Sequence, residues 1–486
     1  MMNRLNKLVL VIVCLLLLML CITPVQAQVD NIHHQSATYE YPEDPQVLAK
    51  LEKWRDQKFG VIIHWGLYAV PGIIESWALC SEDWIERDST VSYHDFKQWY
   101  WGLHKEFNPV NFNPEHWAEV AKSAGMRYLV FTTKHHDGFN MFDTQQTDFK
   151  ITSGPFAGNP RADVAKYVFN AFRQEGFMIG AYFSKPDWHS EYYWWPKYAT
   201  ANRNNNYDIR KYAWRWNQYK QFTYNQISEL MHNYGTMDIL WLDGGWVRPK
   251  ETVNKEVLSW GAPIPDWSQD IDMPRIAAMA REAQPGLLMV DRTVHGPYEN
   301  YQTPERSIPD RKIDHPWESC IPLANNWGYV PKDEFKSSAT IIHSLVEVVA
   351  KGGSLLLGIG PKPDGTLPEI VENRLGEIGD WLEVNGEAIY NTRTIDHYQD
   401  GAVFFTRDKS GYHYAIACLA ENEPLPPSIE WSGNRPKKGS KIKLLQNGKT
   451  VKWVQEGDKV KVYLPASLIK NASYPALAFS FVADKN

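Results

Sequence analysis

The segment MDILWLDGGW, residues 237–246, places an ionisable side chain at the end of an apolar run. The run has the character of a buried strand, and it ends at Asp243, which two glycines follow. A carboxylate in this position can act as a nucleophile or as a general acid or base. We expect Gly244 and Gly245, which lack side chains, to leave room for the close approach of a ligand. Capping of a following helix is the alternative role for the carboxylate.

Four other apolar runs also end in polar side chains that can bind or react with a ligand. These side chains are His64, His135 with His136, Tyr182 and Arg292. In a barrel of alternating strands and helices, the C-terminal ends of the strands form one face, and catalytic residues lie there. One polar residue at a strand end is ordinary, but five such ends predict the rim of an active site.

Three kinds of chemistry could use this rim. The pair in KHHDGF is compatible with a metal hydrolase, but adjacent histidines diverge if the strand continues through them, and the chain has no HxH, HExxH or CxxC spacing. We therefore expect no catalytic metal and no other cofactor. The stretch KGGSLLLGIGPKPDG could bind phosphate or form a strand and a turn. A glycosidase needs two carboxylates, groups that bind hydroxyls, and aromatic rings that stack on sugars. The 21 tryptophans and 25 tyrosines fit that requirement best.

Six apolar runs are predicted to be strands that position these residues. They span residues 59–66, 128–136, 178–184, 238–245, 287–292 and 354–361. Runs of this kind suit parallel strands that are covered on both faces, and amphipathic helical patterns separate them. No GxGxxG or GxxxxGK motif follows the first strand, so a nucleotide-binding sheet is not favoured. The predicted fold is α/β, an irregular (β/α)8-type barrel, in which two strands between residues 293 and 345 are not evident.

Three segments of different character divide the chain. Residues 1–27 have the pattern of a signal peptide, residues 28–390 are predicted to form the barrel, and residues 391–486 a C-terminal all-β sandwich. The signal pattern consists of basic Arg4 and Lys7, an apolar stretch, and small residues before a cleavage site after Ala27. The apolar stretch of about 14 residues is shorter than the roughly 20 that span a bilayer. We expect export to the periplasm or the extracellular space, with no stable membrane span after cleavage.

Lipidation at Cys21 is a less favoured alternative, because Leu20 stands where a small residue is expected. The other cysteines, Cys80, Cys320 and Cys418, are odd in number and lack metal-ligand spacing, so neither a disulfide framework nor a zinc site is predicted. The net charge of −6, without a block of basic residues, argues against a nucleic-acid partner. The sequence gives no indication of the oligomeric state.

Several motifs, taken together and in order, resemble a known family. FGVIIHWGLYAVPG, ESW, TTKHHDGFNMFDT, DILWLDGGW, YQTPE, GGSLLLGIGPKPDGTLP and NGEAIYNT are similar to segments of the glycoside hydrolase family 29 α-L-fucosidases, over roughly residues 40–395. The resemblance implies a retaining exo-fucosidase that acts on fucosylated oligosaccharides or glycoconjugates. It also implies an irregular (β/α)8-like barrel with a β-sandwich behind it.

The resemblance further implies roles for single residues. Asp243 matches the family nucleophile, and Glu305 in YQTPE matches the acid/base, with Glu318 and Glu299 as rivals because this segment varies in the family. Other residues match positions that bind the sugar: His64, Glu75, Trp77, His135, His136, Tyr182, Arg292 and Trp327. We expect the histidines to be chiefly neutral hydrogen-bonding partners of hydroxyl groups.

Two other functions are compatible with the same fold. One is a secreted carbohydrate-binding protein whose barrel has lost catalysis, which a complete pair of Asp243 and Glu305 argues against. The other is a glycosidase of different sugar specificity, such as one that acts on a galactoside.

Overall fold

The computed structural model describes residues 38–421, 423–469 and 474–484. The predicted signal peptide lies outside these residues. Within the described ranges, no helix has both the length and the apolar character needed to cross a membrane. Cys80, Cys320 and Cys418 are free thiols.

Seven parallel strands form the first sheet, and all their residues are buried. The strands are β1 Phe59–Ile63, β2 Tyr128–Lys134, β3 Met178–Ser184, β4 Ile239–Asp243, β5 Leu288–Asp291, β6 Glu318–Pro322 and β7 Ser354–Ile359. They pair in the order β5-β4-β3-β2-β1-β7-β6. Every strand predicted from its apolar run is present, and β6 is a strand that the sequence did not make evident. Burial on both faces explains the continuous apolar runs.

An extended segment, residues 299–305, lies between the edge strands β5 and β6 and is called the closing segment below. It makes isolated bridges to both neighbours, Val290 with Glu299 on one side and Glu305 with Cys320 on the other. The Asn300 amide donates to the Met289 carbonyl at 2.8 Å, and the Glu318 amide donates to the Gln302 carbonyl at 2.8 Å. The closing segment thus completes the barrel irregularly and carries Glu305 beside β6.

Helices lie between most consecutive strands of this sheet, although none separates β5 from β6. They are α1 Pro45–Gln57, α2 Tyr93–Gly102, α3 Pro114–Ser123, α4 Val164–Gln174, α5 Ala213–Asn233, α6 Lys255–Ser259, α7 Met273–Ala283, α8 Ser338–Ala350, α9 Glu369–Asn385 and, further on, α10 Ala466–Ile469. Helix α3 begins as its sequence predicts, because the Asn113 side chain accepts from the His116 amide at 3.2 Å and Pro114 occupies the first turn. Helix α4 buries Val168, Phe169 and Phe172 in the main core.

Beyond residue 391 the structure is antiparallel β. The strands are β8 Thr392–Arg393, β9 Gln399–Asp400, β10 Val403–Asp408, β11 Tyr412–Cys418, β12 Ser428–Ser432, β13 Ile442–Leu444, β14 Lys449–Glu456, β15 Lys459–Tyr463 and β16 Ala476–Val482. Strand β14 pairs with β13 through its first residues and with β15 through its last, so it passes from one layer to the other. Phe405, Trp431, Val462 and Phe479 fill a separate core between the layers. The fold is therefore a barrel followed by a β-sandwich, while a domain boundary near residue 391 stays a prediction.

Candidate active site

Asp243 is the last residue of β4, and both its carboxylate oxygens accept hydrogen bonds. The Tyr182 hydroxyl donates to Oδ2 at 2.7 Å, and Arg292 Nη1 donates to Oδ1 at 2.8 Å. His136 Nε2 lies 3.7 Å from Oδ2. Donors of this kind stabilise the ionised form of a carboxylate. Tyr182 lies two residues before the end of β3, and Arg292 directly follows β5.

Arg292 joins Asp243 to a second carboxylate. Its Nη2 atom donates to Glu305 Oε2 at 2.9 Å, and the Trp327 indole Nε1 lies 3.3 Å from the other Glu305 oxygen. Burial acts to lower the pKa of Arg292, but the negative charges of Asp243 and Glu305 outweigh burial and hold that pKa above its ordinary value. A shared guanidinium is compatible with the carboxyl spacing of about 5 to 5.5 Å that retaining glycosidases use.

The two rival glutamates bond to other partners. Glu318 begins β6 and is fully buried, and its carboxylate accepts from the Tyr128 hydroxyl at 2.7 Å and from the Trp241 indole at 3.1 Å. Glu299 accepts from the Thr293 amide at 2.9 Å and pairs with His295 Nδ1 at 2.6 Å. Of the three glutamates, Glu305 is the one bonded to the arginine that also binds Asp243.

The three predicted histidines lie together beside Asp243. Strand β2 ends at Lys134, so His135 and His136 lie beyond it, and the divergence expected on a continuing strand does not arise. Their ring centroids are 4.4 Å apart, and the His64 ring lies 5.7 Å from that of His135. Ser76 hydrogen-bonds His135 Nδ1, and Ser184 Oγ lies 2.7 Å from His136 Nδ1.

Burial sets the charge state of these histidines. It lowers the pKa of His135 to about 4 and holds the pKa values of His64 and His136 well below the ordinary value. All three rings are therefore neutral near pH 7. A neutral imidazole has one donor and one acceptor nitrogen, which suits the recognition of hydroxyl groups.

Glu75, Trp77 and Trp327 complete the candidate site. Glu75 Oε1 accepts from the backbone amides of Trp327 at 2.6 Å and Gly328 at 2.9 Å, and so fixes the loop that carries Trp327. Burial raises the pKa of Glu75. The Trp327 ring stacks on His64 at 5.0 Å, and the Trp77 ring lies 5.1 Å from His136. The structure thus brings together every residue that the resemblance assigned to sugar binding.

The sequence reasoning missed several residues that position the site. Thr303 Oγ1 accepts from Arg292 Nε at 2.9 Å, and the Trp241 ring lies beneath the Arg292 guanidinium, 4.2 Å from Cζ. Trp241 could have been found, since alternate residues of a strand share a face and Trp241 precedes Asp243 by two. Ser76 and Thr303 carry no comparable signal.

Close contacts within the protein require glycine at positions 244 and 245, a reason that the sequence-based expectation did not include. Gly244 has a φ of +93°, and a Cβ added there would lie 2.3 Å from Pro186 Cδ. A Cβ on Gly245 would lie 2.0 Å from Thr293 Oγ1. The loops that follow β3 and β5 therefore approach the β4 turn closely.

Among the described residues, no group of three or more His, Cys, Asp or Glu side chains is arranged to hold a metal ion.

Comparisons with known proteins identify relatives of this chain. A family model described as alpha-L-fucosidase matches residues 26–387. The human plasma alpha-L-fucosidase is 27% identical over 442 residues, which are 86% of this chain and 86% of that protein. Two solved structures superpose closely, alpha-L-fucosidase isoenzyme 1 of Paenibacillus thiaminolyticus and the alpha-fucosidase of Thermotoga maritima in complex with fucose.

The Paenibacillus structure has a TM-score of 0.71 and 28% identity, and the match covers 90% of this chain and 100% of that one. The Thermotoga structure has a TM-score of 0.69 and 25% identity, and the match covers 91% of this chain and 100% of that one.

Proposed function

Because this chain belongs to the alpha-L-fucosidase family, we propose that it is a retaining, exo-acting enzyme that removes terminal α-L-fucosyl residues from oligosaccharides or glycoconjugates. One observation carries the mechanistic part of the proposal. Arg292 binds Asp243 and Glu305 at once, so two acidic side chains from distant parts of the chain meet at one face of the barrel. Two carboxyl groups in this relation are what double displacement at a sugar requires.

In the first step, Asp243 acts as the nucleophile. A carboxylate oxygen of Asp243 forms a bond to the anomeric carbon as the bond from that carbon to the aglycone oxygen breaks, and Glu305 gives its proton to the departing oxygen. Tyr182 and Arg292 hold the attacking carboxylate. The product is a glycosyl ester on Asp243.

In the second step, the ionised Glu305 takes a proton from water, whose oxygen attacks the anomeric carbon and displaces Asp243. Two inversions leave the released fucose with the configuration of the substrate. The same glutamate therefore serves as acid and then as base.

The neutral histidines and the aromatic rings bind the sugar in this proposal. His64, His135 and His136 exchange hydrogen bonds with its hydroxyls, and Trp77 and Trp327 supply apolar surface for the C6 methyl that distinguishes fucose from galactose. Contact with one methyl group contributes about 1 to 3 kcal/mol to discrimination.

The proposal also covers the location of the enzyme and its division into domains. On the pattern of residues 1–27, the enzyme acts in the periplasm or outside the cell. The mature chain would consist of a catalytic unit from 28 to 390 and a sandwich from 391 to 486.

The test of this function is azide rescue with an aryl α-L-fucoside. Asp243→Gly should lower turnover by about three orders of magnitude or more, because the attacking oxygen is gone. Azide should then enter from the face that Asp243 occupied and give β-L-fucosyl azide. In Glu305→Ala, Asp243 still forms the ester, so azide should give α-L-fucosyl azide. The anomer, determined by NMR, assigns each carboxylate its role.

The outcomes separate the proposal from its alternatives. Near-native turnover by Asp243→Gly, or the same azide anomer from both variants, would contradict the assigned roles. Aryl galactosides, assayed alongside, identify a glycosidase of different sugar specificity. A protein that binds fucose and hydrolyses no aryl glycoside would be a carbohydrate-binding protein.

A further inference from the structure

Two donors to Asp243, Tyr182 and Arg292, pack against one indole ring, that of Trp241. Tyr182 and Trp241 are direct partners in the pairing of β3 with β4, and their rings stack at 5.3 Å with 28° between the planes. The Arg292 guanidinium lies over the same indole at 4.2 Å. Trp241 and Asp243 are two residues apart on β4, so their side chains point to the same face of the strand. The position of the indole therefore sets the positions of the hydroxyl and the guanidinium that orient the carboxylate.

The indole is fixed in turn by a carboxyl group of another strand. Trp241 Nε1 donates to Glu318 Oε1 at 3.1 Å, and the Tyr128 hydroxyl donates to the second Glu318 oxygen at 2.7 Å. Glu318 lies on β6, at the other end of the sheet order from β4, so this contact crosses the barrel. Trp241 and Glu318 are 2% and 0% exposed, so water does not compete for these bonds.

We propose that Glu318 and Trp241 are positioning residues for the nucleophile: Glu318 fixes the Trp241 indole, and the indole aligns Tyr182 and Arg292 on Asp243. This inference rests on the proposed role of Asp243 and adds a cause for its orientation. Glu318 thus acts through Trp241 on bond formation by Asp243, instead of transferring a proton to the leaving group.

The physical cost of losing Glu318 supports this role. Its removal would leave an indole N–H and a phenol hydroxyl without an acceptor in a dry interior, at about 1 to 3 kcal/mol for each group. The indole would relieve that cost by shifting. Burial raises the pKa of Glu318 to about 7, and one of its oxygens can accept from Trp241 in either protonation state. A displacement of about 1 Å in the groups that position a reaction can lower its rate about 100-fold.

Covalent labelling with 2-fluoro-fucosyl fluoride measures this effect directly. The bond from Asp243 to C1 forms as fluoride leaves, and fluoride needs no proton from an acid, so the labelling rate constant reports on the nucleophile alone. Intact-protein mass spectrometry gives both the rate constant and the final labelled fraction. Misplacement lowers the rate constant at full labelling, whereas partial unfolding lowers the final fraction.

We expect Glu318→Leu to reduce the labelling rate constant about 10- to 100-fold with a complete final fraction. Glu318→Gln keeps an oxygen that accepts from the indole and should stay within about threefold of the wild type. Trp241→Phe removes the donor, so Glu318→Leu in that background should add little further loss, because two residues that act through one contact are not additive. The matched control is Asp238→Asn, a buried carboxylate before β4 that binds Lys50 and the Ile179 amide and should label at the wild-type rate.

Distinct results would overturn each claim. A wild-type protein that is never labelled at Asp243 would overturn the proposed function, and this inference with it. If the wild type is labelled, the inference alone fails when Glu318→Leu labels at the wild-type rate, when Glu318→Gln is as slow as Glu318→Leu, or when the losses from Trp241→Phe and Glu318→Leu add in full. If Glu318→Leu does not fold, the other two variants decide. The inference then requires Trp241→Phe to slow labelling and Glu318→Gln to leave the labelling rate nearly unchanged.

Discussion

Asp243 and Glu305 are both carboxylic acids, and their shared contact with Arg292 bears on the different roles proposed for them. The side chain of Asp243 is 12% exposed and that of Glu305 21%, so the glutamate is the more accessible to solvent. A negative charge on Asp243 disfavours a second negative charge beside it. In the proposed mechanism Asp243 becomes an ester, so that charge is lost, and Arg292 then favours the ionised form of Glu305. The proposed mechanism needs the glutamate as a base at that step.

Replacing Glu305 tests the acid role through the leaving group. We expect Glu305→Ala to lower kcat/KM for substrates with poor leaving groups, such as fucosylated oligosaccharides, about 100-fold more than for activated aryl fucosides, because only the former need protonation. Steady-state kinetics on a series of aryl fucosides of graded leaving-group pKa gives the dependence.

Glu299→Gln provides the comparison for this experiment, since Glu299 is a buried carboxyl bonded to His295 and the Thr293 amide. The reduction of kcat/KM in Glu299→Gln should not depend on the leaving group. Equal losses for good and poor leaving groups in Glu305→Ala would instead move the acid role to Glu318 or Glu299.

At this scale, the sequence predicted some residues on physical grounds and others only through the family resemblance. Asp243, His64 and Arg292 each end an apolar run, which is visible in one sequence. Glu305 is not visible in that way, because the closing segment has no strand pattern. Thr303 was missed since nothing in the sequence pairs it with Arg292.

At the scale of elements, the turn after β4 depends on Gly244, and a methyl group there tests how closely the loops pack. Gly244→Ala should destabilise the protein by about 2 to 5 kcal/mol, because a left-handed backbone costs a non-glycine residue about 1 to 2 kcal/mol and overpacking costs about 1 to 3 more. The added methyl would displace Pro186, next to Lys185, whose amide bonds the Asp243 carbonyl at 2.9 Å. We therefore expect turnover to fall as well.

Gly176→Ala is the matched control for this substitution. Gly176 has a φ of +86°, and no atom lies within 4 Å of its added Cβ. This variant should lose only the unfolding free energy that the left-handed backbone costs a non-glycine residue, and it should keep its turnover. Equal changes in unfolding free energy for the two variants, measured by urea denaturation, would show that contact with Pro186 has no cost.

Helices and strands could be predicted wherever the burial of a segment determines its own pattern of apolar residues. Strands covered on both faces have continuous apolar runs, as SLLLGI in β7 illustrates. Strand β6 reads ESCIP, with an ionisable residue and a proline, and the buried carboxyl of Glu318 is accommodated by hydrogen bonds from Tyr128 and Trp241 on other strands. The closing segment likewise forms bridges only because β5 and β6 present free edges to it. Such elements form through tertiary contacts, which the hydrophobic pattern of a single segment does not reveal.

At the scale of the whole molecule, the barrel interior combines neutral histidines with a buried carboxyl group, and their titrations oppose each other. Burial lowers the pKa of His135 from 6.5 to about 4, so the folded state binds fewer protons than the unfolded chain between these values. Its contribution to stability is present above pH 6.5 and is lost as the pH falls towards 4. Burial raises the pKa of Glu318 from 4.5 to about 7, so its contribution is present below pH 4.5 and is lost as the pH rises towards 7.

Single substitutions should reveal these opposite slopes. We expect the wild type to lose about 3 kcal/mol of unfolding free energy relative to His135→Gln as the pH falls from 7 to 4, because each pKa unit corresponds to about 1.4 kcal/mol. Relative to Glu318→Gln, the wild type should instead lose about 3 kcal/mol as the pH rises from 4.5 to 7. Urea denaturation at half-unit intervals of pH gives both differences. If the difference in unfolding free energy changed with pH in the same direction in both comparisons, the opposed titrations would be contradicted. If the difference between the wild type and His135→Gln did not change with pH, the His135 imidazole would take up protons equally in the folded and unfolded chains.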